Sequence, residues 1–175
     1  KGSFYLGSGG NENNHFYSYP NENNPFMISS EATVPIGFSN GSLNYTEGEY
    51  TGDHTGPVPA SFPKGYNSLY CMKYEITQEQ YADFLNTLTV EQSANRYSNQ
   101  FNSYRQYIRN VNGVFGCDGN NNNIINELND GKEIACNLLT WQDGIAYADW
   151  SGLRPMTELE FEKICRGTEN HIANE

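Results

Sequence analysis

Three capping boxes divide this chain of 175 residues into segments that can begin a helix and segments that cannot. Each sets a threonine three residues before Gln, Asp or Glu: Thr77-Gln78-Glu79-Gln80, Thr140-Trp141-Gln142-Asp143 and Thr157-Glu158-Leu159-Glu160. The hydroxyl accepts from the third helical N–H while the third side chain reaches back to the cap's own N–H, so the pattern marks a helix start. The first box predicts a helix with Tyr81, Phe84, Leu85 and Leu88 on its inward stripe, Gln78, Glu79, Asp83 and Asn86 facing water, and fraying near Thr89. The second predicts a short helix through Ile145, Ala146, Ala148, Asp149 and Trp150 to a glycine stop at Gly152. The third predicts a helix through Phe161, Ile164 and Cys165 to Gly167, after an extended linker in which Pro155 disfavours helix at Arg154.

Outside these blocks the sequence is rich in Asn, Gly, Ser, Pro and Tyr. The stretches of about 8–65 and 91–133 carry no sustained helical period and read as polar insertions of loops and short strands. Gly2-Ser3-Phe4-Tyr5-Leu6-Gly7 reads as a short strand, Tyr70–Ile76 as a β-rich run, and Asn40-Gly41 as a hairpin turn following the weak alternation of Val34–Phe38. Within 91–133 the apolar anchors are Tyr104, Tyr107, Ile108, Val111, Val114 and Phe115, and the segment is expected on the surface.

A formal net charge of -11 argues against a nucleic-acid partner, since binders of phosphate backbones show a basic face. No apolar run approaches the ~20 residues a membrane helix needs. Hydrophobic content is only 37%, but 13 Tyr and 9 Phe restore area that can be buried. The start Lys1-Gly2-Ser3 has neither an initiator Met nor a signal pattern, so the chain reads as processed or partial. Cysteines at 71, 117, 136 and 165 lack CxxC spacing, and His15, His54 and His171 are scattered, which disfavours zinc. The Asn-, Gly- and Tyr-rich, Lys-poor composition points to an extracellular or periplasmic setting, where disulfides are allowed.

Taken together, three blocks resemble the formylglycine-generating enzyme (sulfatase-modifying factor) family. They are Tyr74-Glu75-Ile76-Thr77 with Gln80-Tyr81 and Phe84-Leu85; Thr140-Trp141-Gln142-Asp143 with Ala146-Tyr147 and Trp150; and Gly152-Leu153-Arg154-Pro155-Met156-Thr157-Glu158-Leu159-Glu160-Phe161-Glu162 with Arg166-Gly167. The opening strand resembles the family's first strand, so the likeness spans the chain around two divergent insertions. Glu75, Thr77, Trp141, Asp143, Trp150, Arg154, Pro155, Thr157, Glu158, Glu160, Arg166 and Gly167 carry the structural motif.

The resemblance implies an α+β domain over 1–175 of irregular C-type-lectin-like fold, with short twisted strands, two to three short helices and long ordered loops. It also implies that this is the N-terminal part of a larger domain, running on by about a hundred residues or more to an ordinary single-domain length. In the enzymes, the later part holds the copper-binding cysteine pair that oxidises a substrate cysteine, together with calcium ligands. Copper is therefore expected only if a C-terminal half exists, and no catalytic or cofactor residue is expected within 1–175. The leading expectation is a bacterial surface or secreted protein, of extracellular, periplasmic or outer-membrane-associated location, that binds a protein or glycan ligand or assembles with others. The alternative is the N-terminal half of a copper-dependent oxidase. A C-terminal half or a second chain would complete the fold. Cys165 matches a family disulfide cysteine whose partner lies in the later part, and Ala148 stands where another such cysteine would be, so Cys165 is expected either as a buried thiol or as the partner of a residue outside this segment.

Other patterns stand beside the resemblance. Cys117 and Cys136 could bridge and close the Asn-rich loop. Asp118, Asn120 and Asn122 place oxygens at alternate positions, as a calcium loop does, although Asn123 and Asn129 replace that pattern's Gly and Glu. The segment is either a calcium site or a solvated loop. Tyr17, Tyr19, Tyr45, Tyr50, Tyr97, Tyr104 and Tyr107, set among small polar residues, have the composition of a binding surface or of loop staples. Trp141 and Trp150 read as core, and Glu158, Glu160 and Glu162 as acids complementing a helix dipole. Asn40-Gly41-Ser42 and Asn44-Tyr45-Thr46 are formal glycosylation sequons, of the kind that arises by chance in Asn-rich sequence.

Overall fold

A computed structural model describes residues 1–10, 13–46, 54–169 and 172, so Tyr50 and His171 lie outside the described residues. In chain order the elements are β1 (Phe4–Leu6), β2 (Phe16–Ser18), β3 (Phe26–Ile28), β4 (Leu43–Tyr45), α1 (Gln78–Thr87), α2 (Val90–Arg96), β5 (Ile108–Val111), β6 (Val114–Cys117), α3 (Trp141–Trp150) and α4 (Glu158–Arg166). The architecture is α+β, with four helices among the described residues and short antiparallel strand pairs. The chain divides into two compact units: residues 1–71 with 156–175, and residues 72–155.

In the first unit β1 pairs with β3 and β2 with β4, both antiparallel. Phe4, Leu6, Ile28, Val34, Leu43 and Leu159 form its apolar core. Strands of three residues bury too little to hold loops of this length, and charged side chains supply the rest. Lys64 is fully buried, and its ammonium donates to the carbonyls of Pro59 at 2.7 Å, Phe62 at 2.8 Å and Glu31 at 3.3 Å. The Glu31 carboxylate in turn accepts from the backbone N–H of Lys64 at 2.7 Å and of Asn67 at 2.9 Å. Burial works against the charged form of Glu31, but these amide donors and the Lys64 charge outweigh it and hold its carboxyl below the ordinary value. From α4, Glu162 accepts the Gly7 N–H at 3.1 Å, Arg166 donates to the Gly7 carbonyl at 2.6 Å, and Lys163 donates to the Gly65 carbonyl. Gly7 is required at this clasp: its φ is +82° and a Cβ would lie 1.8 Å from the Phe16 carbonyl oxygen.

The second unit is built on α1 and the β5–β6 hairpin. Tyr81, Ala82, Phe84, Leu85, Ile108, Phe115, Cys117 and Tyr147 form its core, with Phe84 edge-on to Tyr147 at 5.7 Å. Asn112 (φ 53°) and Gly113 (φ 89°) make the two-residue turn that joins paired Val111 and Val114.

Thr77, Thr140 and Thr157 each cap their helix in a complete capping box, as the spacing predicts. Several other expectations are corrected. The first helix ends at Thr87, close to the expected fraying near Thr89, but Thr89 and Gln92 then form a fourth capping box that opens α2, so the helix count among the described residues exceeds two to three. Residues 91–133 are not merely a surface insertion, since Ile108, Phe115 and Cys117 are three of the eight buried residues of this unit's core. Gln78 faces inward: its amide donates to the Arg105 carbonyl and accepts from the Tyr107 N–H, both at 2.7 Å. Tyr70–Ile76 forms no strand; only Thr77 bridges to Ala135, and Tyr70 and Tyr74 are exposed. Asn40-Gly41 turns the chain without making an antiparallel hairpin: β4 pairs antiparallel with β2 and meets Val34–Phe38 through a parallel bridge between Leu43 and Ile36.

Candidate functional site

The motif residues hold the backbone in place. Asp143 is buried, accepts from the Thr140 N–H at 2.9 Å and meets the Arg96 guanidinium at 3.4 Å. Glu160, also buried, accepts from the Thr157 N–H at 2.9 Å, and Thr157 donates its hydroxyl to the Pro63 carbonyl at 2.8 Å. Arg154 donates to the Pro155 carbonyl, and Gly167 closes α4 with φ 74°. Glu75, Pro155 and Glu158 are exposed. Dipole complementation is thus too general a reading for two of the three helix acids, since Glu160 is a cap and Glu162 clasps Gly7.

The tryptophans correct the core expectation. Trp141 is 67% exposed and Trp150 45%, although Trp150 still touches the Phe84 and Tyr147 rings at 5.5 Å. Trp141, Ile145 and the flanking Leu138 and Leu153 leave an outward apolar face on α3. In the other unit α4 turns Phe161 and Ile164 outward. A depression of about 330 Å³ there is lined by Ser8, Phe161, Glu162, Cys165, Arg166 and Ile172.

All four cysteines are thiols, so the expected Cys117–Cys136 bridge is not formed. Cys117 is buried in the core of the second unit, and the partly buried Cys136 packs against it. Burial pushes each thiol up to about 12, aided by Glu79 near Cys117 and by Asp143 near Cys136. Cys71 is exposed, and so is Cys165, which corrects the expectation of a buried thiol there.

Asp118, Asn120 and Asn122 do share one loop, and an arginine organises it. The fully buried Asp118 carboxylate accepts from Arg109 at 2.7 Å and from the N–H groups of Asn122 and Asn123 at 2.9 and 3.1 Å. Burial opposes its ionisation, but the Arg109 guanidinium and these amides hold the carboxyl below its ordinary value. Asn120 and Asn122 both donate to Glu127. Among the described residues, no cluster of three His, Cys, Asp or Glu side chains could hold a metal ion.

The tyrosines separate into staples and surface. Tyr17 is buried, Tyr97 donates to the Ile108 carbonyl at 3.3 Å, and Tyr104 is exposed. Tyr19 and Tyr45 instead belong to a run of rings in the first unit. Tyr19 meets Phe38 edge-on at 5.6 Å, Phe38 stacks on His54 at 5.5 Å, and His54 stacks on Tyr45 at 4.1 Å. Asn44 lies fully buried beneath them, so its sequon is structural. Phe38 and His54 could have been flagged only by their proximity in space, because neither lies in a sequence motif.

A family model described as the sulfatase-modifying factor enzyme 1-like domain matches residues 19–173. No curated protein and no solved structure gives a significant match to the chain. No helix among the described residues is long and apolar enough to cross a membrane.

Proposed function

The chain belongs to the sulfatase-modifying factor enzyme 1-like family, and from that premise we propose that it is a bacterial surface or secreted protein whose domain binds and assembles rather than oxidises. The observation that carries this reading is the outward apolar face of α3. A tryptophan left 67% exposed on a capped helix, flanked by Ile145, Leu138 and Leu153, is the kind of anchor on which protein interfaces concentrate their energy. Its occupant in this reading is a protein surface, either a C-terminal half of the domain or a second chain. Short strands, capped helices and long ordered loops support a C-type-lectin-like fold for the whole.

The family's copper chemistry needs a thiolate pair, since the thiolate is the ligand that soft copper(I) favours. Cys117 is fully buried in the apolar core and Cys136 packs against that core, so the two offer no open site at which copper could meet a substrate thiol. No oxidation step is assigned to these residues.

A photo-crosslinking side chain at position 145, introduced in the native host, tests the assembly role. The expected result is a discrete protein adduct that Trp141→Lys removes. An exposed face that gives no discrete adduct would overturn it. Labelling of intact cells with an impermeant amine reagent tests the surface location, which fails if only lysed cells label.

A further inference from the structure

We propose that the ring run of the first unit is a binding platform for a neutral oligosaccharide, with Phe38 as the ring on which a sugar stacks. The inference rests on the binding reading above, but it concerns a different unit from the α3 face. Phe38 is 66% exposed, yet it stands on a rigidly built support. Its turn is pinned to Tyr19 twice: the Tyr19 N–H donates to the Ser42 carbonyl at 2.9 Å, and the Gly41 N–H donates to the Tyr19 carbonyl at 2.8 Å. Behind it, the His54 ring is oriented by the side-chain oxygen of Asn44, 2.5 Å from Nδ1, and Asn44 is itself fixed by the Gly37 carbonyl at 3.2 Å and the Tyr45 N–H at 2.8 Å. A fully buried amide that sets the plane of an imidazole, which then backs an exposed phenyl ring, adds little to the apolar core. Phe38 is absent from that core, whereas Leu43 and Val34 nearby belong to it. The arrangement resembles a preorganised site, in which exposed aromatic area is held still before a ligand arrives.

The ligand class follows from the faces presented. An aromatic face carries negative quadrupole density and attracts the C–H face of a pyranose, while the sugar's rim of hydroxyls needs groups that both donate and accept. Side-chain amides and hydroxyls do both, and the exposed residues of the two segments that meet here include Asn21, Ser39 and Asn40. Neither segment, 19–21 or 37–42, contains a Lys or Arg, and the chain's charge of -11 repels anionic ligands. The rings form a run rather than a cage around a central point, which suits a flat sugar face better than a quaternary cation.

The test is calorimetric titration of the whole chain with cellohexaose, xylohexaose, maltohexaose and chitohexaose, for the natural protein, Phe38→Ala and Phe38→Trp. At least one sugar is expected to bind with a Kd of about 1 mM or tighter, with little change in high salt. Phe38→Ala is expected to weaken that binding about tenfold or more while leaving the melting temperature nearly unchanged, because the ring is exposed, and Phe38→Trp to retain it. No binding of any of the four up to about 10 mM, or binding that Phe38→Ala leaves intact, would overturn the proposal. The position-145 crosslink is read on the other unit, so failure here would leave the assembly reading standing, and failure there would leave this one.

Discussion

The two units solve the same problem by different means. The second buries an aromatic cluster between an amphipathic helix and a hairpin, and its stability resides in Tyr81, Phe84, Ile108, Phe115 and Tyr147. The first has three-residue strands and a small aliphatic core, and it holds its loops by burying charge against backbone, through Lys64, Glu31, Glu162 and Arg166. The difference teaches that a loop-rich chain with few aliphatic residues can be ordered by satisfying carbonyls and N–H groups from charged side chains, which area arguments alone would overlook.

Substitutions sharpen that contrast. Phe84→Ala should cost the second unit about 3–5 kcal/mol, the usual range for deleting a buried phenyl, measured by urea unfolding. Trp141 and Trp150 both lie in that unit, so their fluorescence reports it directly. Lys64→Met, nearly matched in volume, leaves three carbonyls without their ammonium donor and should cost the first unit about 3 kcal/mol. Faster amide exchange across residues 59–67 is the measurement, and exchange unchanged from the natural protein would break the comparison.

Acid should act on both units. Glu31 and Asp118 have folded values below their ordinary ones, so their contribution is fully present above about pH 5 and is lost as pH falls through the lower folded values. Arg109→Met is expected to flatten the acid limb of the second unit's stability curve, read by tryptophan fluorescence, while leaving the first unit's unchanged by amide exchange. The smallest effect belongs to α2. Thr89→Ala should cost about 1 kcal/mol by removing its cap. Calcium at millimolar concentration is expected to leave the melting temperature unchanged, because Arg109 already occupies the charged side of Asp118.

What was legible in the sequence follows the same divide. Local rules find α1, α3 and α4 because a capping box is complete within four residues, and the blocks that carry the family resemblance lie around those boxes. Those rules would equally have found α2 at Thr89-Val90-Glu91-Gln92 and the hairpin at Asn112-Gly113, where the polar composition of 91–133 obscured them. No local rule could find Lys64 or Gln78, because their partners become neighbours only on folding, and a long polar side chain reads by default as solvated. The exposure of Trp141 and the stacking of Phe38 on His54 were equally out of reach, since periodicity ranks aromatic residues as core wherever they fall.

The central claim, that this domain binds rather than oxidises, is tested most directly by anaerobic copper(I) titration at neutral pH, with the natural protein compared to Cys117→Ser and Cys136→Ser. The account predicts no thiolate–copper absorption band that depends on either residue, because Cys117 is fully buried in the apolar core and Cys136 packs against it. A stoichiometric band abolished by both substitutions would contradict it.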